Sequence, residues 1–265
     1  MLPIPAQSRR YARDTLKLSS CRPEVAWRRL GMPKTSPVPY SVEAVLAELE
    51  AVRDPKIAII FGRRNPEATV LGVRFGDMAI ITRKIKPDAN LAAGLWRSGS
   101  FEARVIALRV MPDGALTEAQ ADAWVRDLDL PILADDLARL VYERPFARKK
   151  MEAWTVSDQD FVRRTGYGLL YGFAADRSVE ISHDEWLEWL DRIGKEIHQS
   201  PNWSRETMIV LPVAIGLRDE ALYAPALATA SAFGKVEVFH GDKTNCKVPD
   251  PVALLQNPRT RIKPY

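Results

Sequence analysis

Apolar residues recur every third or fourth position through most of this chain, and strict alternation is nearly absent, so the pattern predicts a succession of short amphipathic helices. The clearest opens at Ser41, a capping residue, and buries Val42, Val45, Leu46, Leu49 and Val52 on one stripe. Arg53-Asp54-Pro55 breaks it, and a second helix spans Lys56 to Gly62. A turn-rich link with Asn65-Pro66 follows. Helices are expected at Asp77 to Ile85, Asn90 to Ser98 and Phe101 to Met111, the last stopped by Pro112-Asp113-Gly114.

The stretch from Thr117 to Tyr167 reads as three or four further helices. Thr117 and Gln120 form a capping-box pattern, after which Ala119, Ala123 and Trp124 share a face. Arg144-Pro145 ends the next element, since a residue before proline is pushed out of helical geometry. Ser157 is the expected cap of a helix carrying Asp160, Phe161, Arg164 and Leu169. Ser182 and Glu185 repeat the capping box before Trp186, Trp189, Leu190, Ile193 and Ile197. Ser204 to Gly216 and Glu220 to Phe233 are helical in pattern, with Pro212 and Pro225 expected to kink or divide them. Lys235 to Phe239 is the one strand-like run, and Gly241 to Pro249 is loop.

Helical pairs of roughly 40 residues without strict repetition suggest an all-α, HEAT-like repeat solenoid with a concave basic face. An irregular helical bundle gives the same periodicity. The expected division is a basic N-terminal extension at 1–38, a helical repeat domain at 39–255 and a basic tail at 256–265.

Charge changes this picture at the ends. The 265 residues carry +4 overall, yet residues 1–38 hold eight Lys and Arg against two acids, which leaves the remainder slightly acidic. Such an arm suits phosphate contacts; the plainer reading is a loosely held extension. Its Arg-rich, acid-poor composition is shared with transit peptides, but the two prolines of MLPIPAQ break the amphipathic order those need. No run of 18 apolar residues exists, so no transmembrane helix is expected. Cys21 and Cys246, far apart, suggest neither a disulfide framework nor a zinc site, and His183, His198 and His240 lack metal-ligand spacing. With no secretory signal, these features point to the cytoplasm. A monomer is expected.

Candidate chemistry sits at Asp135 and Asp136, within a largely apolar run, and at Arg163 and Arg164 one helical hairpin later. On residue type alone, either aspartate fits a helix N-terminus, and the two arginines fit a solvated face paired with Asp158 and Asp160. Trp96, Trp124, Trp154, Trp186 and Trp189 read as packing residues.

LWRSGSFEAR (95–104), Ala123-Trp124-Val125 with Asp127, Asp135, Pro145-Phe146-Ala147, Glu152-Ala153-Trp154 and Phe161-Val162-Arg163-Arg164 together resemble the bacterial AlkD-like DNA alkylation repair family. Ser200-Pro201-Asn202, Gly234-Lys235-Val236-Glu237-Val238, Gly241-Asp242 and Cys246-Lys247-Val248-Pro249 look like the closing motifs of one branch of it. The resemblance runs over residues 41–255. It implies HEAT-like repeats holding double-stranded DNA and, in active members, a glycosylase that excises N3- or N7-alkylated purines without metal or cofactor. By position Asp135 matches the catalytic aspartate, which stabilises an oxocarbenium-like sugar and orients water. Arg164 matches the residue that grips the DNA backbone. Arg163 and Tyr167 join it as expected DNA contacts, and Tyr171 lies one turn further along the same helix.

The chain departs from the family at two positions. An aromatic four residues before the aspartate is replaced by Pro131, and alignment places Val210 at a second aromatic site. Trp203, two turns away, falls on the right face at the wrong height. If each lost cation–π contact is worth about 1–2 kcal/mol, excision slows roughly 10- to 1000-fold. The resemblance therefore leaves two readings: a glycosylase, or an inactive homologue serving as a DNA-binding or protein-binding helical scaffold.

Overall fold

The computed structural model describes residues 40–242 and 244–260. The basic extension at 1–38 and the last five residues lie outside these. The described residues form helices α1 (Val42–Ala51), α2 (Pro55–Gly62), α3 (Phe75–Thr82), α4 (Ala89–Arg97), α5 (Phe101–Val110), α6 (Glu118–Trp124), α7 (Pro131–Tyr142), α8 (Ala147–Trp154), α9 (Asp160–Ala175), α10 (His183–Glu196), α11 (Asn202–Gly216), α12 (Glu220–Phe233) and α13 (Pro251–Gln256). A short 3-10 turn, Val125–Asp127, follows α6. No strand occurs among the described residues. Lys235 to Phe239, expected as strand-like, is extended backbone that joins no sheet.

The helices stack in two layers. α5, α7, α9, α11 and α13 each pack on the next in that order, while α4 lies on α5, α8 on α9, and α12 on α11 with α10 behind it. Each pair buries its stripe against its neighbours, and the cores join into one continuous apolar spine from Val45 to Leu255. α13 extends that spine: Leu255 is buried, and Thr260 donates to the Leu254 carbonyl at 2.6 Å. Packing thus continues as far as Thr260 among the described residues.

Local signals explain most helix starts. Thr117 accepts from the Gln120 N–H, and the Gln120 side chain accepts from the Thr117 N–H, the full reciprocal box. At α10 only half of the expected box forms, because the Glu185 carboxylate takes Arg148 and the Trp189 indole instead of reaching back. Ser157 does not cap α9; its hydroxyl accepts from Gln159 N–H in a tight turn before the helix. The buried face of α6 holds Ala121 and Trp124, whereas Ala119 and Ala123 are exposed. Pro212 and Pro225 sit inside continuous helices and divide neither.

The tryptophans pack as expected. Trp96 and Trp124 stack at 4.3 Å, and Trp154, Trp186 and Trp189 are buried. Gly166 permits a close approach between two helices. A Cβ there would lie 2.6 Å from Thr155 N and 2.8 Å from the Trp154 carbonyl carbon, so α9 runs directly against the end of α8.

Candidate functional site

The helices α7, α9 and α11 lie side by side, and their facing residues build a charged centre in an otherwise apolar layer. Arg164 on α9 is 2% exposed. Its Nε and Nη2 donate to the two oxygens of Asp135 on α7, each at 2.9 Å. Nη1 donates to Glu206 Oε2 on α11 at 2.8 Å and to the Trp203 carbonyl at 2.8 Å. Glu206 in turn holds His240 Nε2 at 3.1 Å through its other oxygen. Burial pushes the Arg164 guanidinium down, but the charges of Asp135 and Glu206 outweigh it and keep Arg164 firmly cationic.

A buried arginine needs its donors satisfied, and this arrangement satisfies them with the fork geometry that guanidinium and carboxylate share. The consequence corrects the sequence reading. Arg164 does not lie on a solvated face with Asp158 and Asp160; its donors are turned on protein acceptors and it holds Asp135. Asp135 remains partly open, with 23% of its side chain exposed. Its neighbour Asp136 points elsewhere, to Arg109 and Arg139.

Asp160, in the first turn of α9 and read as a partner for the arginines, accepts from Trp203 N at 2.8 Å and Ser204 N at 2.7 Å. It supplies from α9 the cap that Pro201 cannot give α11, at the positive end of the helix dipole. This fixes the register of α11 against α9 and brings Trp203 to the Asp135–Arg164 pair, through its carbonyl, while its ring meets His240 edge-on at 6.0 Å. Val210, assigned from the sequence as the second aromatic position, is buried two turns further along. Pro131 is the first residue of α7 and is also buried.

Arg163 and Tyr167 go a different way from Arg164. Arg163 donates to the Ser157 carbonyl at 2.7 Å and Ser200 Oγ at 3.3 Å. With Arg192, Lys195, Glu196, Gln199 and Val156 it lines an open recess of about 380 Å³ at the end of α10. Tyr167 is buried, its hydroxyl 3.3 Å from Glu196. Burial above all, with Glu196 adding and Arg192 and Arg163 opposing, pushes its pKa up to about 12, so it stays a neutral donor. Tyr171 is half-buried against the core.

Sequence reasoning missed Glu206, His240, Arg64 and the Asp160 cap. Burial pushes the Arg64 guanidinium down, Glu206 pulls it up and Arg164 lowers it further, which places Arg64 within the same field. Its Nη2 lies 3.8 Å from Cys246 Sγ. Cys21 lies outside the described residues. Among the described residues no cluster of His, Cys, Asp or Glu is arranged to hold a metal, and no described helix is long and apolar enough to cross a membrane.

The sequence profile of the family described as DNA alkylation repair enzyme matches residues 45–206, the span that contains Asp135, Arg164 and Glu206. The chain belongs to this family. Two relatives extend the match to about four fifths of this chain and nearly all of their own length. The uncharacterized protein Lin0241 of Listeria innocua is 28% identical over 223 residues, covering 81% of this chain and 96% of its own length. The uncharacterized protein Lmo0209 of Listeria monocytogenes is 27% identical, covering 82% and 96%. A solved structure from a new family of proteins related to the HEAT-like repeat DNA glycosylases, with affinity for branched DNA structures, superposes with a TM-score of 0.72 at 22% identity. That match covers 82% of this chain and 93% of the other. The DNA alkylation repair chain described here therefore has the HEAT-like fold.

Proposed function

We propose that this protein binds double-stranded DNA and excises alkylated purines from it, with Asp135 as the residue that acts on the sugar. The observation that carries this reading is a partly open carboxylate gripped through both oxygens by a buried arginine. A residue held this firmly need not reorganise during reaction, the condition under which a fixed charge stabilises a transition state best.

In the proposed reaction the glycosidic bond breaks with its electron pair going to the base, which cancels the positive charge of an N3- or N7-alkylated purine. Asp135 stabilises the resulting oxocarbenium-like sugar and orients a water. The water adds to the anomeric carbon and gives up a proton to solvent, leaving an abasic site and a neutral base. Arg164 is a positioning residue in this scheme, and Glu206 positions Arg164. The recess of Arg163, Arg192 and Lys195 is the proposed phosphate contact, so affinity falls as salt rises.

The second reading is a protein that binds DNA without excision. Pro131 favours it, because a proline ring offers no electron-rich face to a cationic base; the branched-DNA affinity of the fold neighbour's family gives that binder a substrate class. Release of 7-methylguanine from methylated duplex DNA, measured for wild type and Asp135→Asn beside binding by gel shift, separates the two. Release by wild type alone, with equal binding, supports excision. Binding by both and release by neither establishes the second reading, and salt-insensitive or absent binding overturns both.

A further inference from the structure

The closing motifs surround one residue whose placement the reaction does not explain. Phe239 is 62% exposed, although it lies beside His240, which is 5% exposed and bonded to Glu206. A solitary exposed phenylalanine is ordinary on a protein surface. What sets this one apart is its backbone. The Asn202 side chain donates to the Phe239 carbonyl at 2.8 Å and accepts from its N–H at 2.7 Å, pairing with it as a neighbouring strand would. Arg205 donates to the Glu237 carbonyl at 2.9 Å. On the far side Gly241 has φ +93°, and a Cβ there would lie 2.1 Å from the Arg63 carbonyl oxygen, so the chain is pinned where only glycine fits.

The ring is therefore aimed at solvent by anchors on both sides, one residue from the histidine that ends the Asp135–Arg164–Glu206 chain of contacts. Ser200-Pro201-Asn202 ties this segment to the cationic recess, since Ser200 accepts from Arg163 while Asn202 clamps Phe239. An apolar ring on a fixed mount, beside cations that suit phosphates, matches the stacking platforms that take single unstacked bases. Fixing the backbone in advance removes most of the ordering cost of such a contact.

We infer that Phe239 is a base-stacking residue, which takes an unpaired nucleobase onto its ring at the edge of the Asp135 site. This rests on the reading of the protein as a DNA binder, with or without excision. The probe is a duplex carrying one bulged 2-aminopurine, compared with the same base fully paired, titrated with the full chain and followed by fluorescence and anisotropy. Wild type quenches the bulged base on binding. Phe239→Ala binds the bulged duplex roughly ten- to a hundredfold more weakly and loses the quenching, with paired-duplex affinity unchanged. Phe239→Trp keeps the quenching, and Asn202→Ala, which frees the mount, is intermediate. Thermal melting confirms that each variant folds. Equal behaviour of Phe239→Ala and wild type on the bulged duplex, or binding by wild type with no change in fluorescence, overturns the stacking proposal alone. Failure of wild type to bind either duplex overturns the DNA reading as well.

Discussion

Two carboxylates in this molecule are embedded in neighbouring parts of the same layer and meet opposite fates. Glu102 on α5 is 0% exposed and accepts from the backbone N–H groups of Leu71, Gly72 and Val73 at 2.8–3.1 Å. Asp135 on α7 is satisfied by a single side chain, Arg164, and keeps part of its surface open. Both are anions taken out of water and compensated, as they must be. Main-chain donors wrap Glu102 completely and fasten the link between α2 and α3 onto α5. A guanidinium covers only the edge of a carboxylate, which leaves room for a reacting group. Closure by backbone leaves Glu102 no open surface, whereas the arginine leaves Asp135 the open part that the proposed reaction uses.

The comparison is broken most severely at the arginine. Arg164→Met strands Asp135 and Glu206 as uncompensated partners and is expected to cost about 3–5 kcal/mol in urea unfolding. Adding Asp135→Asn and Glu206→Gln to that variant recovers a large part of the loss; no recovery would mean the guanidinium stabilises by packing alone. Next comes Glu102→Gln, whose amide faces N–H donors with donors of its own. A loss of about 2–3 kcal/mol is expected, with DNA binding and base release unchanged per folded molecule. Asp135→Asn retains one acceptor for Arg164, so it should cost no more than about 1–2 kcal/mol. Its 7-methylguanine release should disappear altogether, and that inverted ratio of stability to activity is the sharpest form of the contrast.

The mildest effect belongs to an acid on the surface. Lys149 first, then Lys150, hold the Glu118 carboxyl down to about 2 from its ordinary 4.5. A depressed folded pKa means the stabilisation is present above about 4.5 and is lost as pH falls toward 2. Urea midpoints of wild type and Glu118→Gln should converge across that window and differ slightly above it. A gap that stays constant down to pH 2 would show that the ion pairs contribute nothing, as is common for exposed pairs.

What could be read along the chain was local. The Ser41 cap, the Thr117–Gln120 box and the apolar stripe of α10 depend on residues within two turns of each other, and all three form. The family resemblance led to Asp135 and to Arg164 separately, and not to the bond between them. Their environment was not legible, because it comes from Glu206, Trp203 and His240 on elements brought alongside only by packing. Two adjacent arginines look alike in a sequence. On α9 successive residues point about 100° apart, so Arg164 enters the core and Arg163 opens onto the recess. The register of α11 was equally hidden: it is set by Asp160, from another helix, and that cap brings the Trp203 carbonyl to Arg164.

The bare Cα of Gly166 sets a tolerance. It lies two residues from Arg164, where α9 rests on the backbone at Thr155 with no side chain between them. The depth at which the guanidinium meets Asp135 is thus dimensioned by a missing methyl group. Putting one back would act as a shim, lifting the whole helix from its seat and moving the charged centre without altering any residue in it.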